Sequence, residues 1–137
     1  MNSIEEAVQL FEGGYICSQA VFAAFSEDYN LSKDQALKIG ACFGSGMRKG
    51  EVCGACTGAL MALGLKYGDD KAKSDEVCDK FLDEFKKQNG SYICRDLLGC
   101  DISTPEGVKH AVDNNLFREF CPMMVESAAR IVDGILK

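Results

Sequence analysis

Apolar residues along this chain recur three and four positions apart and almost nowhere alternate with polar ones, so the pattern predicts helices and no strands. Ile4, Ala7, Val8 and Phe11 mark one face of a first helix over about 3–11, which Gly13-Gly14 stops. A second helix opens near Cys17 and turns Ala20, Val21, Ala24 and Phe25 inward. Ser32 and Gln35 form the two ends of a capping box, predicting a third helix from there to about Phe43. The glycine-rich stretch 44–50 follows as a loop, then a fourth helix over about 52–67 closed by Gly68.

A fifth helix, about 71–88, carries the stripe Val77, Phe81, Leu82 and Phe85 and ends at Asn89-Gly90. A short turn of helix is expected from Cys94 to Gly99. Thr104 before Pro105 starts another, since proline at the first helical position loses no useful N–H. Cys121-Pro122 repeats that logic ahead of the stripe Val125, Ala129, Val132 and Leu136. The fold expected is all-α, a single-domain bundle of about six to seven helices over residues 1–137.

Composition then narrows the setting. The chain has 137 residues, 47% of them hydrophobic, which is enough to form one core without covalent staples. A net charge of −6 repels phosphate backbones, and the densest basic segment is only Arg48-Lys49, so no nucleic-acid partner is expected. The acidic start lacks a basic segment followed by an apolar one, and the uncharged run 52–65 is too short to span a bilayer. A cytoplasmic protein without membrane insertion is expected.

Eight cysteines change the picture, because clustered cysteines in a reducing compartment point to thiol or metal chemistry. Cys17, Cys53, Cys94 and Cys121 each fall at or near a predicted helix start, where unpaired N–H groups and the helix dipole favour a thiolate. Converging, they would form a pocket suited to sulfur anions; otherwise they simply fill space. Cys78 and Cys42 read as core packing, and Cys100 lies in a polar loop. Cys53 and Cys56 form C-x-x-C, a spacing that suits a dithiol pair or half of a metal site. Thr57 follows Cys56 where covalent haem attachment needs histidine, which excludes that cofactor.

Gly54 and Gly58, with Ala62, strip one face of the fourth helix, for close helix packing or for a cofactor approaching Cys53. The 44–50 loop lacks the Gly-Lys-Ser/Thr ending of a phosphate loop but could offer backbone donors to an anion.

The I-C-S-Q-A-V context of Cys17, the G-S-G-M loop and the run C-G-A-C-T-G-A-L-M-A-L-G-L-K-Y-G resemble a redox-active protein family labelled C_GCAxxG_C_C. So do C-R-D-L-L-G, S-T-P-E-G and the C-P of the final helix, so the likeness runs from about Gly13 to Val125. The label writes G-C-A where this chain reads C-G-A-x-x-G. The resemblance implies that the family's four cysteines are Cys17, Cys53, Cys94 and Cys121, and that their role is redox. Similar regions joined to haem-binding segments occur in some cytochromes; those segments are missing here.

Three functions stand open on the sequence. One is a thiol-dependent oxidoreductase, with Cys53 reactive and Cys17, Cys94 or Cys121 resolving. Another is a metalloprotein whose four cysteines hold an iron–sulfur cluster or Zn²⁺. The last is a helical interaction module with buried cysteines. A redox partner or a transporter-associated protein is the partner expected.

Overall fold

The computed structural model describes residues 1–137 and is all helical, apart from one isolated antiparallel bridge between Val52 and Ile93. Nine helices follow one another: α1 (Ser3–Glu12), α2 (Cys17–Ser26), α3 (Lys33–Ile39), α4 (Gly54–Tyr67), α5 (Lys71–Asn89), α6 (Cys94–Leu98), α7 (Pro105–Asp113), α8 (Leu116–Glu119) and α9 (Cys121–Leu136). Seven of them reach seven residues or more, matching the expected bundle; α6 and α8 are single turns.

Local chemistry sets most boundaries. Asn2, Ser32, Asp70 and Thr104 each accept a first-turn N–H with a side-chain oxygen, starting α1, α3, α5 and α7. Only half of the expected Ser32–Gln35 box forms: the Gln35 N–H donates to Ser32 Oγ at 3.1 Å. Gly90 and Gly99 close α5 and α6 in the left-handed conformation that glycine adopts without penalty. α3 stops at Ile39 and tightens into a 3₁₀ turn over Gly40–Cys42. The four-residue α8 escaped sequence reading because it is entered through left-handed Asn115 without a side-chain cap.

α2 lies at the centre, with Ser18 and every residue from Ala20 to Ser26 buried. It packs chiefly on α4, α1 and α3, while α9 crosses α1, α4 and α5. The α2–α4 contact is close because Gly58 faces backbone: a Cβ there would sit 2.5 Å from the Ser18 carbonyl oxygen. Phe25, Leu63, Phe81 and Phe85 fill the remaining core, the last two rings stacked with centroids 5.9 Å apart. A smaller cluster of Cys94, Leu98, Ile102 and Ala111 joins α6 to α7.

α4 begins two residues later than its apolar run because Val52 is spent on the bridge. The Cys53 N–H donates to the Tyr92 carbonyl at 2.8 Å, and the Cys94 N–H to the Glu51 carbonyl at 2.6 Å. The glycine-rich loop has its own shape. Ser45, Gly46, Met47 and Arg48 all have φ between 55 and 64°, one left-handed turn that costs each non-glycine residue about 1–2 kcal/mol. No helix is long and apolar enough to cross a membrane.

Candidate thiol site

Five helices lack the oxygen cap that α1, α3, α5 and α7 have, and all of them but the single-turn α8 start at one of the four singled-out cysteines. Cys17, Cys94 and Cys121 are the first residues of α2, α6 and α9, and Cys53 is itself the cap of α4. A thiol thus stands at each of these starts, beside first-turn N–H groups without a side-chain oxygen partner.

All four cysteines line one cavity of about 540 Å³ between the starts of α2, α4, α6 and α9. Its other walls are mostly apolar, with Phe11, Tyr15, Phe117 and Phe120 supplying rings and Leu97, Leu98 and Met124 the aliphatic surface. Glu12 and Arg118, both exposed, are its two charged side chains. Cys53 and Cys94 are each only 7% exposed, so they open on the cavity rather than on the outer surface.

The four thiols differ in acidity. Cys53 is held below the ordinary thiol value, first because Cys56 donates its S–H to it, with the N–H groups of Ala55 and Cys56 adding to the effect. Cys56 itself is fully buried in the core and is pushed far above the ordinary range, by burial first and then by donating to Cys53. Burial also raises Cys17 to about 11, and Cys94 and Cys121 to about 12, with charge on neighbouring sulfurs adding in each case. The helix-start argument therefore holds for Cys53 alone. For the other three, loss of water outweighs the N–H groups.

Gly54 is what lets two of these sulfurs meet. A Cβ there would lie 2.5 Å from Cys17 Sγ and 3.0 Å from the Gly44 Cα. Cys17 therefore occupies the space beside the first turn of α4 and also takes a hydrogen bond from the Ser45 N–H of the left-handed loop. Gly58, one turn further on, faces Ser18 and does not line the cavity, so its bareness serves helix packing.

The remaining cysteines lie elsewhere. Cys42 is exposed, not core, because the 3₁₀ turn rotates it outward; Cys78 is half-buried beside the α5 stripe. Cys100 packs on the small α6–α7 cluster. Cys56 was legible as a C-x-x-C member, but its service to Cys53 depends on burial that spacing alone does not reveal.

A model of the family described as "Putative redox-active protein (C_GCAxxG_C_C)" matches residues 15–135. The chain belongs to the C_GCAxxG_C_C family. No curated protein and no solved structure matches the chain. Within this C_GCAxxG_C_C fold, no group of three or more histidine, cysteine, aspartate or glutamate side chains is arranged to hold a metal ion. Sharing a cavity wall is a looser condition than meeting at one point, as a zinc ion or cluster requires of its ligands. The four cysteines do not fit such a centre as they stand.

Proposed function

We propose that the chain is a dithiol–disulfide redox protein in which Cys53 attacks and Cys56 closes the disulfide. The observation that carries this reading is the placing of the pair at the start of α4, with Cys53 on the cavity wall and Cys56 fully buried one turn behind it. One sulfur is stabilised as the anion and faces the cavity; the other keeps its proton and lies beneath. The Cys56 N–H bonds the Cys53 carbonyl at 2.9 Å, a tight turn that keeps the two Cα atoms near the span a disulfide needs.

In the reaction, the Cys53 thiolate attacks one sulfur of a substrate disulfide. A mixed disulfide forms and the other substrate sulfur leaves as a thiolate. Capture of Cys53 removes the negative charge that helps hold the proton on Cys56. Cys56 then yields that proton to the departed thiolate and attacks Cys53 Sγ, expelling the second substrate sulfur. The substrate gains two electrons and leaves as one thiol and one thiolate, which takes a proton from water, and the protein loses the electrons as the Cys53–Cys56 disulfide. Cys17, beside Cys53 and with its proton tightly held, is the alternative closing partner. The eight free thiols suit a reducing, cytoplasmic setting.

Mild oxidation of the reduced protein, alkylation of the remaining thiols and peptide mass analysis test this. The segment 50–66, which contains both cysteines, should lose two hydrogens and escape alkylation while Cys94 and Cys121 are modified after unfolding. Indiscriminate pairing, or a Cys53 that stays alkylatable, would sink the proposal.

A further inference from the structure

The cavity above Cys53 also selects what can reach it. Cys53 is 7% exposed, on the wall of a half-open cavity of about 540 Å³, so a disulfide reaches it only by entering that cavity. A molecule of one or two rings fits that volume. Inside, Phe117, Phe120, Tyr15 and Leu97 offer faces to an apolar body, and the charged side chains, Glu12 and Arg118, are exposed and of opposite sign. Neither is in an ion pair, and being of opposite sign they leave no dominant charge among the side chains of the cavity. The net charge of −6 adds a long-range bias against anionic thiols and disulfides.

We infer that the substrate is a small, uncharged disulfide with apolar, preferably aromatic, substituents, bound in this cavity with its sulfur–sulfur bond against Cys53. The inference rests on the dithiol reading above and goes beyond it in naming the substrate class. Binding strips water from the rings, whereas a charged disulfide would give up solvation for mostly apolar walls whose charged side chains, Glu12 and Arg118, are themselves exposed. In the exchange the substrate disulfide is the oxidant, and its two halves leave as one thiol and one thiolate that takes its proton from water.

The test has two arms. In the first, reduced protein is mixed with dipyridyl disulfide at mildly alkaline pH, where its rings are neutral, or with oxidised glutathione. Each rate is divided by the rate of the same disulfide with a free small thiol, which removes the difference in leaving group. A normalised preference of about tenfold or more for the dipyridyl compound is expected, a typical discrimination for an apolar pocket. Phe117→Glu, checked for helicity by circular dichroism, should abolish it; equal normalised rates, or a preference for glutathione, would overturn the inference.

In the second arm, the non-reducible isostere dipyridylethane is titrated into Cys53→Ser by calorimetry. Saturable binding that Phe117→Glu removes supports the cavity as the recognition site even if exchange chemistry fails. Absence of binding overturns the cavity reading even if Cys53 and Cys56 form their disulfide.

Discussion

Cys53 and Cys56 lie one turn of helix apart, both buried, and differ in what they face. Cys53 lines the cavity and receives hydrogen bonds; Cys56 is enclosed in the core and gives one. Removing the donor tests the asymmetry. In Cys56→Ala the thiolate of Cys53 loses its strongest stabilising bond, so its pKa should rise toward or past the ordinary value of 9.0. A hydrogen bond to a charged group contributes about 1.5–3 kcal/mol, enough to raise the midpoint measurably. The pH profile of Cys53 alkylation reads this directly, and an unmoved midpoint would show that the S–H does not tune the thiolate. At this scale, C-x-x-C and the helix starts at Cys17, Cys53, Cys94 and Cys121 were legible in the sequence. The acidity order was not, because it depends on how much water each sulfur loses.

The helices meet at glycines whose duties look alike in sequence and differ in space. Gly58 abuts the Ser18 backbone, which cannot move alone, whereas Gly54 abuts a cysteine side chain as well as the Gly44 Cα. Gly58→Ala should therefore cost about 1–3 kcal/mol in urea unfolding by prising α2 from α4. Gly54→Ala should cost less in stability and mainly displace Cys17 from Cys53, read as a changed rate of Cys17 alkylation. Equal losses from the two would contradict the packing described. The left-handed turn gives the opposite sign. Met47 has φ 55° and is 54% exposed, so Met47→Gly gives up little packing and removes an unfavourable backbone conformation. It should gain up to about 1 kcal/mol in the same assay, with no gain counting against strain at this residue. Capping residues and apolar stripes made α1, α3, α5, α7 and α9 readable, whereas the left-handed turn and α8 carry no periodicity to read.

For the molecule as a whole, Cys17, Cys94 and Cys121 make alkali a threat. Their protons are held more firmly folded than unfolded, up to about 11 for Cys17 and about 12 for the other two, against an ordinary 9.0. The unfolded chain thus sheds protons first, and stability should fall as pH rises from about 9 toward 12. Below that window their contribution is complete. Cys53, with its lowered value, works the other way: its share is present at high pH and fades as pH drops through its folded value. Cys56, pushed up further still, acts with these three against Cys53 alone, so the thermal midpoint should decline through the alkaline range, and replacing Cys94 by alanine should lessen the decline. A flat profile in the parent protein would mean that these thiols are better hydrated than their burial indicates. The all-helical architecture followed from periodicity, but the gathering of four distant helix starts around one space depends on tertiary packing that no local pattern encodes.

The two short hydrogen bonds that tie Cys53 to Tyr92 and Cys94 to Glu51 have a topological consequence. Along the chain, the forty residues between Cys53 and Cys94 depart and return at one doorway, drawn together by that bridge, while α4 and α5 between them pack on α2 and α9. The far tip, around Gly68 to Asp70, lies at the opposite end of α4 from Cys53 and lines no wall of the cavity. That hairpin's outer end is where evolution or an engineer can splice, lengthen or sever the chain while the sulfurs keep their seats.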